Sequence, residues 1–438
     1  MQFLPAPTEL QAALDQLREA GLLFCRGIAP HASYLFKHAL VQDAAYSTLL
    51  RGRRQELHGR VAAALEEHFA DLVERQPELL AHHLTAAGDA ERAVDQWLKA
   101  GRYAAARYTY LEAIAHLERG LGVLHAVPEG PNRDGSEIQL QLALGLCLIP
   151  AKGALAANLP YTRAHELADR SGQPQQQFEA LYGVWLSTNV SGGVTAARPL
   201  SERLLRMAER HGDDGLRLQA RHSGWSTLWA AGNPARTRQH ADAGRLLYDP
   251  EKHASHRLVY GGHDPGACAG HTGAQVEWLL GYPEKALASI ADSLALAERL
   301  AHPFTLSLSL TFSSVLHLNR REPQQALRQL EAAEVLAEEQ RLSLTLQPQF
   351  LRGAALTRCR RRSHRPHPRG RHEVDPAPTH SSFALWFGVP SRRFGAARRS
   401  GGGKGRTTGR IGYSGRYRPA SLGCGVAPSY RDRAAHRK

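Results

Sequence analysis

The chain has 438 residues and carries 55 Lys and Arg against 41 Asp and Glu, a formal net charge of +14. Such an excess points first to nucleic acid or a membrane surface. Residues 354–438, however, hold 20 of the basic side chains and 3 of the acidic ones, which leaves 35 and 38 for the first 353, a slightly acidic body.

Five widely spaced cysteines with no CxxC exclude a disulfide scaffold or a zinc ribbon and suit a reducing compartment. No run approaches the roughly 18 apolar residues of a membrane-spanning helix. The N-terminus lacks the basic and apolar regions of a secretory signal. These features predict a cytoplasmic protein without a membrane segment.

Residues 1–36 read as helix, strand, turn and strand. Thr8 and Gln11 have capping-box spacing, and Leu10, Ala13, Leu14, Leu17 and Ala20 form an apolar face that Gly21 ends. LLFCRG (22–27) reads as a strand, IAPHAS (28–33) as a turn and YLF (34–36) as the returning strand. This is either the end of a winged-helix-like module or an αββ piece packed on the next helix. No basic recognition helix precedes the hairpin, which argues against DNA reading.

Residues 37–90 read as linking helices and 91–353 as a helical repeat array. In AVDQWLKAGRYAAARYTYLEAIAHLERGL (93–121), Trp97, Gly101, Ala113 and Leu117 fall close to the tetratricopeptide (TPR) template. Small Gly101 and Ala113 let two helices approach, while Trp97 and Leu117 fill the space between pairs. A turn-and-alanine element recurs at Val194, Pro234, Pro283 and Pro323, at spacings of 40, 49 and 40 residues. The longer interval holds YDPEKHASHRLVYGGHDPGACAG (248–270), which reads as a loop carried between two units. The predicted fold is therefore all-α: a TPR-like solenoid of helical hairpins, with the αββ element before it.

Residues 354–438 contain 12 Gly and 7 Pro but only 3 Leu, too few apolar groups to offset ordering entropy, and read as a disordered basic tail. The break falls within the apparent helix QPQFLRGAALTR. A shifted reading frame of a GC-rich gene explains that abruptness and is preferred; a genuine basic tail is the alternative. SGGGKGRTTG (400–409) superficially resembles a phosphate loop, but Gly405 follows Lys404 where Ser or Thr belongs, with no strand before it.

These segments support a resemblance. YLFKHALVQDAAYSTLLRGRRQELHGRVAAALEEHF (34–69) resembles the segment after the nucleotide-binding domain of bacterial signalling proteins. Those proteins join a class III adenylate/guanylate cyclase domain, an AAA/STAND ATPase domain and a C-terminal TPR array. The segments 77–121, 248–270 and 278–306 continue the likeness, which covers roughly residues 8–353 and is most specific in FKHALVQDAAY, PELLAHH and YGGHDPG. The array is also similar, more loosely, to the sensor of MalT-type STAND regulators. The resemblance implies that the family's catalytic machinery would lie upstream of this chain.

Three groups of candidate residues follow. His38, Gln42, Asp43 and Tyr46 share one helical stretch beside Arg53 and Arg54. The resemblance implies an interdomain contact with the ATPase domain there; a solvated face of weak ion pairs is the alternative. His263, Asp264 and His271 lie in or beside the inserted loop with His253, His256 and Cys268. Loop ordering by hydrogen bonds is the preferred reading, a ligand contact the second and zinc the third, because the spacing matches no known zinc pattern. Adjacent His82 and His83 point about 100° apart on a helix, against a shared metal, with one expected buried and one exposed. Trp97, Tyr103, Tyr108, Tyr110, Trp185, Trp225, Trp229 and Trp278 read as core, and Cys25 and Cys147 as buried thiols.

No catalytic constellation, metal or cofactor is expected. The expected function is a non-catalytic interaction module, with a protein or small effector on the concave face and an ATPase domain as partner in intact relatives. Two readings compete: a fragment of an ATP-using cyclase, and nucleic-acid binding through the Arg-Gly spacing of the tail around Tyr413 and Tyr417.

Overall fold

The computed structural model describes residues 7–27, 32–343 and 348–363. Helix α1 (Pro7–Glu19) leads into an antiparallel hairpin, β1 (Leu23–Arg26) and β2 (Ser33–Phe36), with Leu23 opposite Phe36 and Arg26 opposite Ser33. Helices α2 (Ala39–Ser47), α3 (Arg51–His68), α4 (Ala70–Arg75) and α5 (Pro77–Ala87) follow.

Six helical hairpins come next. They are α6 (Ala90–Ala106) with α7 (Tyr110–Leu124), α8 (Pro131–Lys152) with α9 (Asn158–Ser171), and α10 (Pro174–Val190) with α11 (Val194–His211). Then come α12 (Asp214–Ala230) with α13 (Pro234–Leu247), α14 (Pro265–Leu279) with α15 (Pro283–Leu300), and α16 (Pro303–Asn319) with α17 (Pro323–Glu339). A further helix, α18 (Pro348–Ser363), closes the described chain. This is a TPR-like solenoid, and among the described residues no helix is long and apolar enough to cross a membrane.

The phase markers read from the sequence have a structural cause. Val194, Pro234, Pro283 and Pro323 are the first residues of α11, α13, α15 and α17. Two positions before each stands a residue with left-handed backbone: Gly192 at φ 83°, Gly232 at 72°, Gly281 at 87° and Arg321 at 63°. The next amide then reaches five residues back: Gly193 N to Thr188 O at 3.0 Å, Asn233 N to Leu228 O at 2.9 Å, Glu322 N to His317 O at 2.8 Å. That bond ends one helix, and the following residue starts the next. Proline at the first helical position is tolerated because its missing N–H has no intrahelical partner anyway. Tyr108, at φ 64°, holds the same place before α7.

In the first hairpin the close approach is enforced. A β-carbon on Gly101 would fall 2.5 Å from Leu117 Cγ. Leu117 and Ala113 are fully buried and Trp97 nearly so, its Nε1 donating to Thr85 Oγ1 at 3.0 Å.

Parts of the array distant in sequence also meet. Phe304 of α16 shares a core with Tyr110, Tyr161, Trp185 and Tyr260. Tyr110 Oη lies 3.5 Å from His302 Nε2, 192 residues away. Ser343 N, beyond α17, donates to Pro150 O near the end of α8 at 2.6 Å.

Several expectations need correction. Helix α1 begins at Pro7, one residue before the expected Thr8. Its apolar face is not covered: Leu10 and Leu17 are 43% and 38% exposed. Tyr103 is exposed rather than core, and Cys25 is only half-buried. Helix α18 runs through the break expected at 353/354, with Ala355 fully buried and Arg358 bonded to Leu318 O. Ala354–Ser363 are therefore helical. Residues 28–31 of the expected turn and residues 364–438 of the expected tail, including 400–409, lie outside the described residues.

Candidate functional site

The loop between α13 and α14 is packed among helices of several hairpins. Tyr260 is 3% exposed; its hydroxyl lies 3.2 Å from Gln175 Nε2 of α10, and its ring meets those of Phe178 and Tyr182. Asp264 N donates to Thr305 Oγ1 of α16 at 2.9 Å. Gly261 and Gly262, at φ 70° and 71°, bring the backbone against Leu186, Pro150 and Phe304. Short side chains are forced there by left-handed backbone and neighbours at contact distance.

Asp264 caps α14. Its Oδ1 accepts from Ala267 N at 2.9 Å and its Oδ2 from Tyr248 Oη at 3.0 Å. Burial nevertheless pushes its carboxyl above the usual range. His263 Nδ1 donates to Gly261 O at 2.9 Å. Both residues thus make loop-ordering hydrogen bonds. The loop expected over 248–270 ends at Asp264, because Pro265–Leu279 form α14, and the other histidines of 253–271 diverge. His253 Nδ1 accepts from Asp249 N at 3.0 Å, His256 Nδ1 meets Gln219 Nε2 at 2.9 Å, and His271 stacks on Phe312 with ring centres 4.0 Å apart.

The group brought to His263 from elsewhere is His222, on α12. Its ring is perpendicular to that of His263 at 5.0 Å and stacks on Trp225 at 4.7 Å. Its Nε2 lies 3.2 Å from Cys268 Sγ, and its Nδ1 lies 2.8 Å from Tyr182 Oη and 3.2 Å from Gln219 Oε1. Burial holds the imidazoles of His222, His263 and His271 below their ordinary value and pushes the Cys268 thiol up to about 12. At neutral pH the cluster is uncharged at these groups. Sequence spacing missed His222 because it stands 41 positions before His263; the only signal was a histidine next to core tryptophans in the α12 sequence RHSGW.

The N-terminal candidates sit on an exposed surface. His38 precedes α2, and Gln42, Asp43 and Tyr46 lie along that helix, which has no buried residue. Tyr46 Oη lies 2.9 Å from His58 Nε2 of α3, and Arg54 covers its ring at 5.2 Å. Arg54 also donates to Leu49 O at 2.9 Å, while Arg53 pairs with Glu56. So Tyr46 and Arg54 meet, whereas Arg53 is occupied within its own helix.

His82 is exposed and His83 half-buried, yet both approach His58, at ring separations of 5.8 and 5.0 Å. Adjacent residues on α5 can share a neighbour because α3 lies across both. Close by, an open groove of about 660 Å3 is lined by Glu66, Val73, Pro77, Lys99, Arg102 and Tyr103. Tyr103 is exposed because it faces this groove.

No family model matches the chain. An uncharacterised protein of Rhizobium meliloti (strain 1021) is 29% identical over 309 residues, which is 70% of this chain and 30% of that protein. The chain thus spans less than a third of the relative's length. Among solved structures, the Rap conjugation gene regulator of plasmid pLS20 in complex with the Phr* peptide is similar at 13% identity and a TM-score of 0.47, over 64% of this chain and 76% of that one. The apo form of RapI is similar at 12% and 0.45, over 62% and 98%. A STAND protein with a TPR sensor from Pyrococcus horikoshii is similar at 12% and 0.36, over 78% and 54%.

Proposed function

We propose that this chain is a non-catalytic regulatory module of a bacterial signalling protein of the STAND ATPase–cyclase type, and that its N-terminal face seats the ATPase domain. One observation carries this reading. Between Leu10 and Leu50, large apolar side chains stand in solvent, among them Leu35 at 63%, Leu40 at 81% and Leu50 at 82% exposed. Among the residues of Leu10–Leu50 whose burial is described, Leu23 alone is buried. Large apolar side chains gathered on one short segment and left exposed are what an interaction site requires. The stripe His38, Gln42, Asp43 and Tyr46 runs through it, within the segment whose sequence resembles the one following the ATPase domain.

The helical array is the sensing part. A protein or small effector bound there shifts a two-state contact between array and ATPase domain by its differential affinity for the two states. No reaction is assigned to the chain itself.

Titration calorimetry of the full chain against a purified STAND-type ATPase domain from such a protein tests the proposal. A one-to-one complex that L35E/L40E abolishes is expected, with no ATP turnover by the chain alone. Absence of a complex, or one indifferent to these substitutions, overturns it.

A further inference from the structure

We infer that His222, His263 and Cys268 form a binding site for a borderline-soft divalent transition metal, Zn2+ foremost. One ring nitrogen from each imidazole and the thiol sulfur all lie within 4.8 Å of one another, and all three residues are buried. Neutral imidazole and thiolate suit zinc, whereas hard cations take oxygen donors.

The surroundings orient the donors. Gly261 O accepts from Nδ1 of His263, which leaves the Nε2 lone pair as the donor on that ring. Gln219 turns its Nε2 to His256 and its Oε1 to Nδ1 of His222. The Gln219 oxygen can only accept, and Tyr182 Oη, 2.8 Å from the same Nδ1, can accept too; with the proton on Nδ1 the Nε2 lone pair of His222 faces Cys268 Sγ at 3.2 Å. Fixing the second ring nitrogen by a carbonyl or amide oxygen is how proteins set the tautomer of metal-bound histidine.

Metal binding displaces the thiol proton of Cys268 to solvent, so the dication meets one thiolate. Asp264, adjacent to His263 and 1% exposed, holds the end of the loop through its bonds to Ala267 N and Tyr248 Oη. Three protein donors leave a fourth position to water or another small ligand. The three ligands come from α12, from the end of the inserted loop and from α14, so a bound metal ties that loop to two hairpins.

Co2+ added to the purified full chain under reducing conditions is the probe. One equivalent is expected to give the thiolate-to-cobalt charge-transfer band and the visible bands of a four-coordinate ion, which Zn2+ bleaches. C268S and H222Q are expected to lose the charge-transfer band, while C147S keeps it. No band in the native chain, or a band that persists in C268S, overturns the proposal. A second measurement needs no substitution: the thermal midpoint should rise with equimolar Zn2+ and return with EDTA. An unchanged midpoint also overturns it.

Discussion

Residues 7–50 and the array from α6 to α17 distribute polarity in opposite senses. In the first, leucines and phenylalanines face solvent, and among the described residues Leu23 alone is buried. In the second, histidines, serines and threonines are sealed inside, with Gln219, Ser223, Ser309 and Ser313 at 0% exposure. Most buried polar groups find partners, as in the chain Tyr182–His222–Gln219–His256, although Ser307 Oγ and Ser313 Oγ have none. The array therefore carries its own interior contacts, whereas the N-terminal segment offers apolar surface that its own fold leaves uncovered.

The sharpest way to break this contrast is a pair of truncations. W185A removes a fully buried indole that bonds Thr227 at 2.8 Å and should cost about 3–5 kcal/mol. L40A should stay within about 0.5 kcal/mol. Urea unfolding of the two variants reads both, and a comparable loss from L40A would erase the distinction.

Acid should act mainly on the array. Burial holds His222, His263 and His271 low, His256 at about 4 and His302 at about 3. The folded state then resists protonation that the unfolded chain accepts from about pH 6.5 downward. Stability is full above that value and is lost as pH falls towards the folded values. Thermal midpoints between pH 7 and 4 should fall continuously, and H256Q, which keeps an amide at Gln219, should soften the slope. A flat profile would mean that these groups charge without cost.

The smallest expected effect concerns the turns. Arg321 holds a left-handed backbone where the equivalent Gly192, Gly232 and Gly281 hold it without strain. R321G should raise stability by roughly 1 kcal/mol, read by urea midpoint. A loss would show that the bonds of its neighbour Arg320 to Glu322 and the Pro283 carbonyl depend on the arginine beside it.

Much of the architecture was legible because its punctuation is local. A left-handed residue, usually glycine, followed two places later by the first residue of the next helix, often proline, writes these turns into the sequence. The hairpin of β1 and β2 was equally visible as two short apolar runs. The interior site was not, because its members are joined by packing: the six chemically suggestive residues of 253–271 scatter to different partners, and His222 arrives from α12. Composition misled at α18 for another reason. Averaged over 85 residues, the arginines conceal that the first ten continue a helix anchored by Ala355 and by the Arg352–Glu334 pair.

The bond from Ser343 to Pro150 and the contact of His302 with Tyr110 alter how such an array should come apart. An open stack of repeats frays from its ends, each unit held only by its neighbours. Here the region of the last full hairpin also touches the first and second, through His302 and Ser343, so loosening it breaks contacts with repeats distant in sequence. Removing α16 and α17 would strip contacts from α7 and α8 and destabilise hairpins far away in sequence. Unfolding should be a single cooperative step, and shortening by whole repeats, tolerated in linear arrays, should fail in this one.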